Sequence, residues 1–373
     1  MAGAGNHRAD PEGRQGGEDC DSRLKTIRSC ILFLEQSQVA MIAMVFIMML
    51  VSISMAGASA SEGDHLFPFL YQHRDGYMKG SGEVAIPPMF DVASPFSEEG
   101  LAPVFKDGKW GYLNKVGEMA IALQFDQAYP FSGGLALVRS GKKVAYINAN
   151  GELAIKPQFE DGLYFSDGLA PVLLNRHWGY IDTNGSVVIP LKFQSAWPFS
   201  QGLAHVQIGE SFGYIDRNGR IIIKPEFENA QEFSEELLAP VQKKLRWGFI
   251  DTQGRIAIAA QFDAALGFTE GLAGVKKAGK WGFIDPTGNW LIAPQFDAVQ
   301  PFSEGLAAVM INRIWGYIDS DGRYVVPPQF LSAEDFVYGL ARVSDTSSLQ
   351  ETKKGNFWFY ISRSGQRVAP KVE

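Results

Sequence analysis

The sequence predicts an all-β fold built from about eight tandem repeats of 34 residues, and two observations support this. A motif of the form Trp-Gly-aromatic-Ile-Asp-x-x-Gly recurs at a spacing of 34 or 35 residues, which is typical of repeat architectures. Glycine (40 residues) and aromatic residues (12%) are frequent, and no sustained 3.6-residue periodicity indicates helices. The first position of the motif lies at Trp110, Val144, Trp178, Phe212, Trp247, Trp281 and Trp315.

The copy that begins at Gly168 shows how one repeat should fold. Residues 169–172 predict a first strand and residues 178–182 a second, in which side chains alternate between two faces. Residues 182–185 predict a tight turn, with an Asp that caps its own backbone and a Gly that supplies a positive φ. Residues 186–189 predict a third strand, and a short fourth strand is expected before the next copy. Such a meander cannot bury its aromatic face alone, so neighbouring copies must stack.

The recurring large apolar residue is expected to pack in the core that neighbouring copies share, because an aromatic at one slot in most copies is typical of such a core. The residues concerned are Trp110, Trp178, Phe212, Trp247, Trp281 and Trp315.

Two arrangements of the repeats are compatible with the sequence. About eight copies of three or four short strands suit a propeller-like ring, since propellers have roughly 4–8 blades. The alternative is an open β-solenoid with capping repeats. It is suggested by an excess of Trp-Gly strands, degenerate ends included, over Gly-Leu-Ala strands. We prefer the ring.

The motif resembles the WG repeat, also called the KWG repeat. The resemblance rests on residues 109–112, 178–182 and 281–285 and covers roughly residues 75–370. It implies a β-rich repeat scaffold without a shared catalytic mechanism or ligand, in a family found in many surface or exported bacterial proteins.

The N-terminal residues predict export. Arg23, Lys25 and Arg28 precede an uncharged stretch, residues 39–60, that ends in Ala-Ser-Ala. This order is typical of a secretory signal peptide cleaved after Ala60. The alternative is an uncleaved membrane anchor, because the stretch is long enough to span a bilayer. Both alternatives place the repeats outside the cytoplasm, in the periplasm, at the cell surface or secreted.

The predicted domain organisation has three parts. Residues 1–60 form a basic region with a signal peptide or membrane anchor, residues 61–74 form a linker, and residues 75–371 form the WG-repeat β domain.

Motifs of catalysis and cofactor binding are missing from the sequence. Both cysteines, Cys20 and Cys30, precede the apolar stretch, and the five His show no metal-ligand or catalytic spacing. We therefore expect no catalytic, metal or cofactor-binding residues and no enzymatic activity. The formal net charge of −7 makes nucleic acid an unlikely partner.

The distribution of charge supplies the candidate binding residues. Basic residues recur in the hairpin before each Trp-Gly strand, and acidic residues follow the Phe and Ser of other loops, so stacking should place the two signs on different edges. The competing interpretation is that the basic residues are ordinary solvated hairpin residues that protect strand edges. Trp290 departs from the repeat consensus and is expected to be exposed. The candidates are Lys243, Lys244, Arg246, Lys276, Lys277, Lys280 and Trp290.

These observations predict a non-enzymatic extracytoplasmic scaffold that binds an unknown protein or an anionic envelope polymer. Membrane contact is expected only through an uncleaved N-terminal segment. The alternative is an enzyme, or a regulatory domain of one, with a site in a central channel. An inward ring of His, Asp or Glu outside the repeat consensus would favour that alternative, and the sequence shows none.

Overall fold

The computed structural model describes residues 65–345 and 358–372, and all regular secondary structure in these ranges is β. The predicted signal peptide or anchor lies outside the described residues. Within them, no helix is long and apolar enough to cross a membrane.

Thirty-five strands form nine small antiparallel sheets, and each sheet is one blade. Blade 1 comprises β1 (Leu66–Tyr71), β2 (Arg74–Lys79) and β3 (Val84–Phe90); blade 2 β4 (Val92–Ala93), β5 (Leu101–Lys106), β6 (Lys109–Asn114) and β7 (Met119–Phe125); blade 3 β8 (Gln127–Ser132), β9 (Leu135–Ser140), β10 (Lys143–Ile147) and β11 (Leu153–Phe159); blade 4 β12 (Asp161–Gly162), β13 (Leu169–Leu174), β14 (His177–Asp182) and β15 (Val187–Phe193); blade 5 β16 (Ser195–Ala196), β17 (Leu203–Ile208), β18 (Ser211–Asp216) and β19 (Ile221–Phe227). Blade 6 comprises β20 (Asn229–Ala230), β21 (Leu238–Lys243), β22 (Arg246–Asp251) and β23 (Ile256–Phe262); blade 7 β24 (Ala264–Thr269), β25 (Leu272–Lys277), β26 (Lys280–Ile284) and β27 (Trp290–Phe296); blade 8 β28 (Ala298–Ser303), β29 (Leu306–Ile311), β30 (Ile314–Ile318) and β31 (Tyr324–Phe330); blade 9 β32 (Ser332–Val337), β33 (Leu340–Ser344), β34 (Phe359–Ser362) and β35 (Arg367–Val368).

The strands of each four-stranded blade pair in chain order, from an inner strand at the axis of the ring to an outer strand at its circumference. Burial identifies the two ends of the blade. The short inner strand β16 is buried along its length, whereas the outer strand β15 exposes Val187, Val188 and Lys192. The repeat is therefore the predicted meander, with the Trp-Gly motif on the third strand.

The glycine of the Trp-Gly motif is required by a close approach between two strands. Trp178 pairs with Phe193 and Tyr180 with Ile189, so the outer strand of blade 4 carries extra residues at this point. A Cβ on Gly179 would lie 2.6 Å from the carbonyl oxygen of Ile189, which is too close for any side chain. The motif glycine thus lets the backbone of the bulged outer strand approach.

The Asp-x-x-Gly turn has the predicted geometry. The Asp182 carboxylate accepts hydrogen bonds from the backbone N–H groups of Asn184 (2.9 Å) and Ser186 (2.8 Å). Gly185 adopts a φ of +80°, which an L side chain would strain. The same carboxylate pattern recurs at Asp216, Asp251, Asp285 and Asp319.

The hydrophobic core lies between the blades, as the stacking argument predicts. Tyr180 and Ile189 of blade 4, for example, pack with Phe199 and Val206 of blade 5. The deepest aromatic is the one two residues after the motif Trp, because Tyr180 is fully buried. The motif aromatics pack against these shared clusters and are half-buried. These residues are Trp110, Trp178, Phe212, Trp247, Trp281 and Trp315.

The ring closes between blade 9 and blade 1. Phe67 and Met78 of blade 1 pack against Leu340 and Tyr360 of blade 9. The backbone N–H of Lys371 donates to the carbonyl of Gly82 at 2.8 Å. The protein is therefore a propeller, which confirms the ring over the open solenoid, and it has nine blades. Strand β1 lies within residues 61–74, so the first blade begins inside the segment assigned to a linker.

Candidate functional site

The basic hairpins share one end of the ring. We call this end the hairpin face. It is formed by the turn between β1 and β2 of blade 1, at residues 72–73, and by the turns between the second and third strands of blades 2 to 8, at residues 107–108, 141–142, 175–176, 209–210, 244–245, 278–279 and 312–313. Since successive strands of a meander run in opposite directions, the connections from each outer strand to the next inner strand lie at the same end. The carboxylates that follow the Phe of the repeat are therefore on the hairpin face too.

Ion pairs on the hairpin face follow from this connectivity. Lys109 Nζ lies 2.6 Å from Asp126 Oδ1, and the two residues are 17 positions apart in the sequence. Hydrogen bonds from the Gly141 backbone N–H and from Lys109 lower the pKa of Asp126. The same pairing joins Arg74 to Asp91, Arg246 to Asp263, and Lys280 to Asp297.

The expected separation of charge is thus wrong for the carboxylates after Phe, because the chain path returns them to the basic hairpins. The carboxylates after Ser lie at the other end of the blades. There, Asp167 accepts from the Gly202 backbone N–H (3.2 Å) and Glu304 from that of Gly339 (2.9 Å), each in the next blade. These acids join neighbouring blades.

The six basic candidates come together on blades 6 and 7 of the hairpin face. Lys243 pairs with Glu226 (2.9 Å) and Lys277 donates to Gln261 (3.0 Å). Arg246 and Lys280 form the ion pairs described above. Lys244 is exposed and Lys276 half-buried, and neither side chain makes an ion pair with any described residue. These two are the cations of the cluster that remain available to a ligand.

Trp290 lies elsewhere, at the opposite end of blade 7, where it is the first residue of the outer strand. Its ring packs edge-on against Phe262 of blade 6, with centroids 5.9 Å apart. Trp290 is half-buried on the core cluster of blades 6 and 7, so the expectation of an exposed Trp290 is wrong. A ring of this size at the start of the strand covers the neighbouring blade.

Carboxylates also lie near the axis, where the sequence indicated none. Glu232 and Asp335 occupy the position that is proline in several other blades. Burial raises the pKa of Asp335 to about 7, and Asp335 Oδ1 is buried without a hydrogen-bond partner among the described residues. Burial also raises the pKa of Glu232. The pKa of Tyr164 in blade 4 is raised mainly by burial and secondly by the charge of Glu232, which belongs to blade 6.

A polar cavity of about 340 Å³ lies at the axis beside blade 1. Asp75, which replaces the motif Trp, accepts a hydrogen bond from the Ala93 backbone N–H (2.9 Å), and burial raises its pKa to about 6. Arg342 of blade 9 donates twice to Glu334 and lies over the Trp358 ring, 4.8 Å from its centroid. The cavity is lined by Pro68, Leu70, His73, Asp75, Asp91, Val92, Ala93, Arg342 and Trp358.

Three solved structures of known proteins are similar to this chain. The crystal structure of a eukaryotic initiation factor is similar with a TM-score of 0.55 and 12% identity, covering 82% of this chain and 95% of that one. The dihydro-heme d1 dehydrogenase NirN in complex with DHE matches with a TM-score of 0.41 and 12% identity, over 73% of this chain and 74% of NirN. Kluyveromyces lactis Hsv2p matches with a TM-score of 0.40 and 9% identity, over 64% of this chain and 96% of Hsv2p. At 12% identity, the likeness to the initiation factor extends to the fold alone.

Among curated proteins, no sequence matches this chain. The family description "WG containing repeat" matches eight consecutive segments, at residues 76–110, 110–143, 145–176, 178–210, 212–244, 247–281, 281–313 and 315–345. These segments cover most of the propeller, in agreement with the resemblance of the motif. The chain therefore belongs to the family of proteins with WG-containing repeats.

Proposed function

We propose that the protein is a non-enzymatic extracytoplasmic scaffold that binds an anionic envelope polymer on its hairpin face. The observation that supports the proposal is the cluster on blades 6 and 7, where adjacent repeats present cations at equivalent positions. Summed over neighbouring blades, such charges attract a polyanion more strongly than any single ion pair. The extracytoplasmic location rests on the order of residues in the N-terminal segment.

Lys244 and Lys276 are the residues on which this function depends most. The other four cations of the cluster already interact with Glu226, Gln261, Asp263 and Asp297. A polyanion must compete with three carboxylates for Lys243, Arg246 and Lys280, and with the neutral amide of Gln261 for Lys277. It meets Lys244 and Lys276 without an ion-pair partner in the described part of the chain.

The experiment compares charge reversals on the two ends of the ring. The double variant Lys244→Glu with Lys276→Glu should weaken binding of polygalacturonate, a polyanionic polysaccharide, and flatten its dependence on salt. Arg217→Glu with Arg220→Glu makes the same change of charge at the opposite end of blade 5 and should leave binding unchanged. Equal loss in both variants, or no loss in either, would refute a site on the hairpin face.

An enzyme or regulatory domain with a site at the axis is the second candidate function. The observation that favours it is the pair of axial carboxylates, Glu232 and Asp335, whose raised pKa values suit proton transfer. A broad screen of hydrolase substrates tests this candidate. Turnover that disappears in both Glu232→Gln and Asp335→Asn would support it over the scaffold.

A further inference from the structure

The inner strand makes three recurring contacts at the occupied junctions between described blades, except that Phe249 and Phe283 lack the hydroxyl that makes one of them. At the junction of blades 2 and 3, the Phe131 ring lies 5.0 Å from the ring of Tyr112. The Tyr112 hydroxyl donates to the carbonyl of Tyr129 at 2.7 Å. The backbone of the inner strand also donates to the second strand of its own blade, as Leu163 does to Pro171 at 2.9 Å. An aromatic ring, a carbonyl and an N–H therefore define an inner strand.

Blade 1 has no inner strand among the described residues. Its first strand, β1, corresponds by register to the second strand of the other blades, since Pro68 pairs with Tyr77 as Pro103 pairs with Tyr112. The carbonyl of Pro103 accepts a hydrogen bond from Ser94 at 3.1 Å. Pro68, at the equivalent position of blade 1, lines the cavity of about 340 Å³.

Tyr360 is the aromatic that would meet an inner strand of blade 1. It is the cross-strand partner of Arg342, as Tyr317 is of Ala308, and Tyr317 donates to the Glu334 carbonyl of the next inner strand. The Tyr360 ring instead contacts Phe67 and Trp358, both with centroids 5.5 Å away.

The chain itself carries no aromatic residue at the corresponding place in its sequence. Other blades have a Phe four or five residues before the Leu that opens the second strand, as Phe165 precedes Leu169. The residues four and five before Leu66 are Glu62 and Ser61.

We propose that the cavity is a docking site for an extended segment of a partner polypeptide, which adds to β1 as the inner strand of blade 1. This proposal does not rest on the binding of a polyanion, although His73 and Asp91 of the cavity wall lie on the hairpin face. A free strand edge binds extended peptides through the backbone, and pockets for alternate side chains select the sequence. The ligand has a small residue followed three positions later by an aromatic, because seven of the eight described inner strands do, from Ala93 and Phe96 to Ala333 and Phe336, and the eighth has Val299 before Phe302.

The walls of the cavity carry charged groups, which suit the polar backbone of a bound peptide better than the apolar side chains of a hydrophobic core. Asp75 and Arg342 replace a Trp and an apolar residue of other junctions, so a carboxyl and a guanidinium border the cavity. These groups can bond the polar backbone of an arriving strand, which an apolar wall cannot do.

The test uses a fluorescent, end-blocked peptide Asp-Gln-Ala-Tyr-Pro-Phe, which copies residues 126–131, and fluorescence anisotropy with the full chain. We expect saturable binding with one peptide per chain. N-methylation of the peptide at its Tyr removes the donor to the Pro68 carbonyl and should weaken binding roughly 2–10-fold. Replacing its Phe by Ala should weaken binding more than about 10-fold. Absence of saturable binding, or insensitivity to N-methylation, would overturn the proposal.

Two matched variants of the protein identify the junction that binds the peptide. Tyr360→Phe keeps the ring, as blades 6 and 7 do with Phe249 and Phe283, and should weaken binding roughly 2–10-fold. Tyr112→Phe makes the same change at an occupied junction and should leave binding unchanged. A weakening in Tyr112→Phe alone would mean that the peptide replaces the inner strand of blade 3, and a stable dimer that excludes the peptide would identify a second copy as the occupant. Either result overturns the proposal.

Discussion

The side-chain hydroxyl of Tyr180 donates a hydrogen bond to the backbone carbonyl of Trp197 at 2.8 Å, across the junction between blades 4 and 5. Burial raises the pKa of Tyr180 well above its ordinary value, so the hydroxyl keeps its proton. The bond explains why the motif has an aromatic, most often Tyr, two residues after Trp. Equivalent bonds are donated by Tyr77, Tyr112, Tyr146, Tyr214 and Tyr317.

Tyr180→Phe should lower the free energy of unfolding by about 1–3 kcal/mol, because it leaves the Trp197 carbonyl without this donor. The ring remains, so packing should not change. Urea unfolding followed by tryptophan fluorescence measures the loss. Phe249→Tyr is the reciprocal change, at a junction that lacks the hydroxyl, and should not destabilise the protein. A larger loss in Phe249→Tyr than in Tyr180→Phe would contradict the assigned role.

Phe249→Ala should be more destabilising than Trp247→Ala, although the two residues are neighbours in the motif. Phe249 is fully buried, and its truncation should cost about 3–5 kcal/mol. Trp247 and Trp290 lie half-buried on the same cluster, so each should cost less, and by similar amounts. Urea melts of the three variants test this order. Trp247→Ala as the most damaging change would show that the motif Trp is the centre of the core after all.

The wild-type protein should lose stability at acid pH because of His205, and the variant His205→Leu should not show this loss. Burial lowers the pKa of His205 to about 3, and its Nδ1 has no hydrogen-bond partner among the described residues. Below about pH 6.5 the His205 imidazole binds a proton in the unfolded chain but not in the folded chain. The free energy of unfolding therefore falls as the pH falls. From pH 7 to pH 5 the wild type should lose about 2 kcal/mol relative to the variant. Leu is a matched replacement, because Leu137 holds this position in blade 3. Parallel stability curves would show that His205 is protonated in the folded protein.

Asp335→Asn should reveal the opposite dependence on pH. The folded protein holds a proton on Asp335 up to about pH 7, whereas the unfolded chain releases it near pH 4. Stability therefore falls as the pH rises through this window, by at most about 4 kcal/mol at 1.4 kcal/mol per pKa unit. The variant should lack that fall, and Asp321→Asn, in an exposed turn, should retain it. Because His205 and Asp335 act in opposite directions, the contribution of each is measured as the difference between the variant and the wild type at each pH.

The period of the motif and its turn chemistry predicted the blade and its strand order, and they favoured the ring without excluding the open solenoid. They did not predict how deep each aromatic lies. Trp178 and Tyr180 are two residues apart, so both side chains lie on the same face of the strand. Only the stacked blades show that Tyr180 is central while Trp178 is near the hairpin. The ninth blade was obscured because Asp75 stands where the motif has Trp.

The candidate site was less predictable than the fold. The local pattern placed the lysines of blades 6 and 7 together, as observed, since they occupy equivalent loops of adjacent repeats. It did not place Glu232 near Tyr164, because that proximity arises only when the ring brings blades 4 and 6 around a common axis. The cavity beside blade 1 depends on closure in the same way.

The closure of the ring also determines how the protein responds to force. Blades 1 and 9 are built from opposite ends of the described chain, and they meet through side-chain packing and the backbone contact between Gly82 and Lys371. All other junctions are spanned by continuous polypeptide. Tension applied between the two ends of the propeller is therefore borne first by this seam. The two blades separate at this seam first, while the remaining blades stay linked in series.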